Sequence, residues 1–525
     1  VTSEANCNAA FSSFYSGGGA LYIHSPGNSH PSNHDVKIGS GRQYRKGGEL
    51  YIDGVEIEER LASVPSLSKD IGDIFESKLI YSGGSPELNN ADGEFDDLLD
   101  TGAILGNKAR VYLVSDSGIW ERVFSGFVTG GENGINRVPI NLKNDVEALL
   151  NLDIPQNFFN STDYPDIADK FKGRPVSLLF GYIRNVEVVC TNDNAVAPAT
   201  YNFVVADITV AQVYDITAVR VDGVAVAFVK SLTTNSFTIL TAVYDPGQTV
   251  TADISGFQDT YGVMITKATD IIRFLFNTFL FFIDSADFYR VWSAVNVYDI
   301  YIVINQVRTL REVCEEICKS SFLSLVYEDS GAFSAIANFR GDYYLSELMD
   351  WDLISLDPVE FDIIRILTSV TVNYNKDQSA GTWYQYYNQT RKAELREIYN
   401  FYNNKDIELN LVTELDAYTA SNQIIDYFAQ PWKTCIVKMP MAAITGLYLG
   451  FNYKITFARP KAPNLGGYIV KIMNIKKNLN DFTALLTLLL IKRVYPLVEC
   501  GSPIYDDCVY DDCVYGGADY EEVIP

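Results

Sequence analysis

One short pattern is written twice in this chain. Leu105-Gly106-NKARVYLV lines up with Leu449-Gly450-FNYKITFA. In each copy Leu-Gly leads to a basic residue, Arg110 or Lys454, and then to alternating apolar positions. These are Val111 and Leu113 in the first copy, Ile455 and Phe457 in the second. A companion strand follows each, Gly126-Phe127-Val128 at 20 residues and Gly467-Tyr468-Ile469 at 17 residues beyond the Leu-Gly. A hairpin loop absorbs a difference of that size. Two such matches in the same order predict two related β-barrels in one polypeptide.

The segment before the first copy, LNNADGEFDDLL, is a turn cluster. Asn90 and Asp92 can hydrogen-bond their own backbone, and Gly93 tolerates positive φ. NNADGEF invites comparison with a calcium loop, but the register fails. With Gly93 as the turn glycine, the first ligand becomes Leu88 and the bidentate acid becomes Leu99. A turn at a strand end is the better reading.

The texture is strand-and-hairpin over residues 1 to about 65 and in the hairpin at 109–129, whose tip is Asp116-Ser117-Gly118; further on, Asp222-Gly223 marks another tight hairpin. A short helix is expected over about 144–150, with Val146, Leu149 and Leu150 on one face. After Thr266 the period changes to that of a helix. Ile272, Leu275, Phe276, Phe279 and Ile283 share one face, and Phe288, Val291, Trp292 and Val295 share another. Thr309 and Glu312 form a capping box before the stripe Leu310, Val313, Cys314, Ile317 and Cys318. Cys314 and Cys318 are four apart, yet they lie on the apolar stripe, which reads as core packing. SLVYED and FSAIANF turn at Asp329-Ser330-Gly331. Thr413 and Asp416 cap a last helix carrying Ala417, Ala420, Ile424 and Phe428, and TALLTLLLIKR reads as a strand covered on both faces.

The fold class is therefore mainly β with an α+β module. The expected divisions are a first barrel at 1–150, an inserted β-domain at 151–267, an α+β module at 268–350, a second barrel at 351–493, and an acidic Tyr/Cys tail at 494–525.

Charge narrows the function. With 66 acidic and 41 basic residues the net charge is −25, which argues against gripping nucleic acid by its phosphates. The longest apolar run, 271–283, has 13 residues and contains Arg273, so it is too short to span a bilayer. The opening residues lack the basic start and apolar core of a signal peptide. His24, His30 and His34 lie in a Gly/Ser/Asn/Pro-rich stretch without ligand-spaced partners other than Asp35, and read as a solvated loop. There is no GxSxG elbow, HExxH or P-loop. A paired-carboxylate glycan hydrolase needs no motif, and with the aromatic content it stands as the enzymatic alternative.

Taken in order, several patterns resemble the baseplate or tail-tip hub proteins of tailed bacteriophages, including the hubs of phage-like gene transfer agents. They are NNADGEFDDLL, FSGF, GRPVSLLFGYIRNV, DIIRFL with the Asp287-Phe288 helix start, LREVCEEICKSSFLSLVYEDSGAFS, and the Thr413 helix leading to LGFNYKITFARP. They span roughly 45–493, and 190–265 and the tail fall outside them. The resemblance implies a virion structural protein, not an enzyme, at the distal end of the tail. It implies a homotrimeric ring whose six barrels meet a hexameric tail tube. Its partners would be tail-tube proteins, tip or fibre proteins and the tape-measure protein, with DNA only in transit and no membrane segment. A receptor- or carbohydrate-binding tail protein, with 190–265 as an adhesin-like insert, is the alternative. Some hubs of this broader group carry an iron–sulfur cluster. Here Cys500, Cys508 and Cys513 are the candidate ligands, with Cys435 or Cys190 needed as a fourth. Their neighbours Asp506, Asp507, Asp511 and Asp512 disfavour an anionic thiolate cluster, a disulfide is comparable, and no cofactor is expected.

Overall fold

A computed structural model describes residues 19–24, 36–39, 50–52, 55–57, 61–63, 66–71, 79–80, 84–93, 96, 100, 102, 105–114, 120–132, 134, 136–144, 146, 150–196, 198–240, 242–279, 298–327, 333–339, 345–349, 353–400, 402–444, 447–456, 468–478 and 483–493. The expected Phe288–Val295 helix face, Ile283, Phe457, Gly467, His30, His34, the turn tips at 116–118 and 329–331, and the tail with Cys500, Cys508 and Cys513 lie outside these residues.

The described fold is mainly β. A first sheet has the order Val36–Gly39, Gly19–His24, Lys108–Val114, Trp120–Gly131, Arg137–Asn144, Glu87–Asn89, Leu61–Ser63. Its inner face is the alternating set Ala109, Val111, Phe124, Val128, Val138, Ile140 and Leu142, all buried. A second sheet runs Glu347–Met349, Asn452–Thr456, Tyr468–Asn478, Thr483–Arg493, Trp432–Pro440, Ser355–Leu356, with Glu360–Asp362 also pairing to Trp432–Pro440. Among the described residues neither sheet closes into a barrel. The chain crosses between them within three residues, because Leu61–Ser63 belongs to the first sheet and Ser66–Asp70 pairs antiparallel with Tyr468–Asn478 of the second.

Between them lie two four-stranded sheets formed from 182–257, with the Asp222-Gly223 turn in place. Val221 faces Val224, and both turn residues have positive φ, 46° and 82°, as a tight two-residue hairpin requires. Four helices are seen among the described residues: α1 (Ala268–Phe279), α2 (Leu310–Ser321), α3 (Lys392–Tyr399) and α4 (Glu414–Phe428). The expected caps are present. Thr309 Oγ1 accepts from the Glu312 amide at 3.2 Å while Glu312 accepts from the Thr309 amide at 3.1 Å, and Thr413 and Asp416 repeat the arrangement. Cys314 and Cys318 are buried on the α2 core stripe. Residues 146 and 150 are helical, and Val146 and Leu150 are buried. The strand Thr483–Arg493 is covered on both faces at Thr483–Ala484 and over Leu488–Leu490; between these stretches Leu485 on the outer face is 37% exposed.

Candidate functional site

The repeated pattern folds into repeated geometry. Gly106 donates its amide to the Val128 carbonyl at 2.8 Å, and Val128 donates back to the Asn107 carbonyl at 3.0 Å. Gly450 donates to Ile472 at 2.8 Å, and Ile472 donates to Phe451 at 3.2 Å. Both glycines sit at positive φ, 77° and 75°, where an L side chain is disfavoured. Val111 pairs with Phe124 and Ala109 with Gly126; Ile455 pairs with Tyr468 and Tyr453 with Val470. Every one of these second-sheet residues stands 344 positions after its first-sheet counterpart. The ladder thus puts Val470 in the place of Gly126, and no difference in hairpin length is needed.

The match extends across the sheet. A bulge falls between Val128 and Gly130 where the strand meets Arg137–Asn144, and between Ile472 and Asn474 where it meets Thr483–Arg493. Leu142 bridges Gly84 as Leu488 pairs with Cys435. On the next strand Ser63 faces Glu87 as Ser355 faces Lys438. Five strands therefore share order, direction and register. The sixth differs: Gly19–His24 is antiparallel to Lys108–Val114, whereas Glu347–Met349 is parallel to Asn452–Thr456. Leu105 is exposed where Leu449 is buried, and nothing is described of the Leu113 side chain.

The NNADGEF turn closes strand Glu87–Asn89. Asn90 is buried, donates to Asp96 Oδ1 at 2.7 Å, and its carbonyl accepts the Gly93 amide at 2.9 Å; Gly93 has φ 73°. Asp92 is on the surface. The turn occupies the corner at which Met441–Ile444 makes a short 3-10 turn after Pro440 in the second sheet. Its chemistry is that of a strand-to-helix corner.

A second cluster sits where the first four-stranded sheet of the 182–257 region meets the three-stranded sheet Tyr384–Asn388, Ser369–Tyr374, Asn404–Glu408. Arg184-Asn185 interrupts the ladder between Ile183 and Val186, with Asn185 at φ 49°. The Asn185 amide donates to Asp253 Oδ1 at 2.9 Å and its side chain to Asp377 Oδ2 at 2.6 Å. Arg220 grips Asp253 through two bonds of 2.8 Å, which raises the guanidinium pKa above its ordinary value. Arg184 stands over the Tyr384 ring at 4.6 Å and 3.8 Å from Asp377. Burial alone pushes the Asp377 carboxyl up, but bonds from the Ala380 amide, Asn185 and the Ser379 amide, with the Arg184 charge, hold it below its ordinary value. Arg220, Asp253 and Asp377 are invisible in the sequence patterns; the Arg184-Asn185 pair inside an alternating strand is the one local signal that could have marked the place.

Lys471 was missed as well. It is fully buried in the second sheet, and its Nζ donates to the Ala337 carbonyl at 2.8 Å and to that of Asn338. This fastens the sheet to the strand Phe333–Ala337.

Of the cysteines named as a possible fourth ligand, Cys190 and Cys435 are both buried, in different sheets, and burial pushes each thiol up to about 12. Among the described residues no three His, Cys, Asp or Glu side chains gather as a metal site, and no helix is long and apolar enough to cross a membrane.

No protein-family model matches the sequence, and no curated protein matches it. Among solved structures, the chain is similar to the tail protein from Neisseria meningitidis MC58, with a TM-score of 0.41, 9% identity, and 90% of this chain and 96% of that one covered. It is similar to the 43 kDa tail protein of prophage MuSo2 from Shewanella oneidensis, with a TM-score of 0.39, 10% identity, and coverage of 91% and 100%. A chain of the native gene transfer agent virion has a TM-score of 0.42 and 10% identity, covering 62% of this chain and 87% of that one. These similar structures are phage tail and virion components.

Proposed function

We propose that the chain is a structural hub at the distal end of a bacteriophage tail, in the baseplate or tail tip. In this reading each sheet is part of a β-barrel, three copies form a ring, and the six barrels meet the hexameric tail tube. Tip or fibre proteins attach on the other side, and DNA and the tape-measure protein pass through the lumen. The net charge of −25 suits a conduit that does not hold the phosphate backbone.

The observation that carries this reading is the common register of the two sheets, down to the same bulge. A chain with two equivalent units lets a threefold ring repeat one contact six times. The ordered patterns shared with tail-tip hubs support the same role. Imaging the purified chain, with its mass in solution, tests it. A threefold ring with six similar densities around a bore is expected; a monomer at every concentration, or a ring without a bore, overturns it.

A receptor- or glycan-binding role is the second reading, favoured by exposed apolar residues on and beside the inserted sheets, with Val196 98% and Tyr261 90% exposed. Binding of host surface polymer that is lost on removing these side chains, with assembly intact, selects it. Both readings are non-enzymatic, and turnover of cell-wall or capsule polymer abolished by one carboxylate change would refute both.

A further inference from the structure

The two matched sheets are finished differently at one end. In the first, the chain leaves Arg137–Asn144 and turns back at once, with residues 146 and 150 helical and Val146 and Leu150 buried in the main core. That segment reads VEALL from Val146. In the second, the chain leaves Thr483–Arg493 as VYPLV from Val494, with aliphatic residues at the same three places of the pattern.

The second sheet is bare where VYPLV departs. Phe361 stands opposite Lys433 and Lys433 opposite Leu490, so the three share one face. Cys435, Val437 and Met439 continue that face by alternation and are buried, which makes it the core face. Yet Phe361 is 67% exposed. Glu360–Asp362 and Thr483–Arg493 both run antiparallel to Trp432–Pro440 between them. They therefore run the same way and finish at the same end, two strand spacings or about 9.5 Å apart. Ile364 and Arg493 each follow the matched pair Phe361 and Leu490 by three residues, and Ile363 and Ile364 are exposed, the latter by 82%. Five extended residues span about 16 Å, enough to cross from Arg493 to this corner.

We propose that Val494, Leu497 and Val498 cover the corner of Phe361, Ile363 and Ile364, closing the second sheet as Val146 and Leu150 close the first. Tethering favours this occupant over a second copy, because a segment joined so closely to its site has an effective concentration in the millimolar range. Charge favours it too. Residues 494–525 hold eight acidic residues and no basic one, and Glu499 is the first charge past the apolar segment. The corner is bordered by Lys433, 5.7 Å from the Phe361 ring centre, and by the exposed Arg365, whose pair with Asp362 at 3.3 Å is a weak surface one. The acidic run from Glu499 onward then starts from a fixed point of the second sheet. The inference concerns a single chain and goes beyond the ring reading, which it neither needs nor tests.

The test is made on the full chain. Ile364→Cys with Leu497→Cys, in a background where Cys500, Cys508 and Cys513 are changed to Ser, is expected to form a disulfide within one chain under mild oxidation. Mass spectrometry reads it as a joined peptide pair whose yield does not change on dilution. A bond between two chains makes a second copy the occupant and overturns the proposal. Equally fast joining of Leu497→Cys to Val196→Cys, exposed on the inserted region, shows a segment that docks nowhere and overturns it as well. Hydrogen exchange supplies a second measurement that needs no new cysteine. In V494D/L497D the amides of 361–366 are expected to exchange about tenfold faster, while V494I/L497M stays at the wild-type rate. Unchanged exchange in V494D/L497D overturns the covering contact.

Discussion

Asn185 reaches Asp377 across 192 positions of sequence, with its side-chain nitrogen 2.6 Å from the carboxylate, while its own backbone sits in the left-handed region. One residue thus supplies a bond between two sheets and a conformation that most residues avoid. Asn185→Ala loses both, and is expected to destabilise the chain by about 2–3 kcal/mol, from a charge-assisted hydrogen bond plus backbone strain. Asn185→Gly keeps the conformation and loses only the side-chain bonds, the one given to Asp377 and the one accepted from Arg220, so its loss is expected to be about 1 kcal/mol smaller. Denaturant midpoints of the two variants measure the difference; equal losses refute the backbone part.

Asp377 gives the joint a direction in pH. Its carboxyl is held below the ordinary value in the folded chain, so its contribution is full above the unfolded pKa of 3.8 and is lost as pH falls through the lower folded value. Asp377→Asn therefore has its largest effect at neutral pH and a shrinking one below about pH 4. Urea midpoints of wild type and variant at pH 7 and pH 3 are expected to converge at the acid end. A gap that widens with acidity contradicts the assignment.

These two residues also mark what the sequence could convey. Local signals were readable because their physics is local: Thr309 with Glu312, Thr413 with Asp416, and the two-residue turn at Asp222-Gly223 all formed as their spacing required. The Leu-Gly pattern located both strand pairs, yet alternation tells which side chains turn inward and not which residue lies opposite. The companion strand was matched through Gly467, whereas the ladder aligns Gly126 with Val470. Pairings across hundreds of residues, such as Ser66–Asp70 on Tyr468–Asn478, leave no local trace, and neither does the burial of Lys471. Helix α3 escaped because it buries only Leu395, too little for an apolar stripe.

The matched glycines are equivalent in conformation and unequal in surroundings. A Cβ on Gly106 meets nothing within 4 Å, whereas one on Gly450 falls 2.3 Å from Ile336 Cγ2 and 3.2 Å from Ile71 Cδ1. Gly106→Ala is expected to lose about 1 kcal/mol, the left-handed penalty alone. Gly450→Ala adds displacement of a packed isoleucine, for a total of about 3 kcal/mol. Thermal or chemical unfolding of the two variants checks this, and equal losses would show that the second site relaxes without strain.

The four described cysteines, Cys190, Cys314, Cys318 and Cys435, are buried with free thiols. Burial pushes Cys190, Cys318 and Cys435 up to about 12, and Cys314 well above its ordinary value. Since the thiolate is the reactive form, burial that keeps the proton on each sulfur leaves these groups unreactive at pH 7.4. Alkylation of the native chain at that pH, read by mass spectrometry, is expected to leave all four unmodified until denaturant is added. A metal or cluster completed by Cys190 or Cys435 requires a deprotonated ligand at a position where burial opposes it. Rapid native labelling at either residue would remove that obstacle and reopen the case for a thiolate-bound centre with Cys500, Cys508 and Cys513.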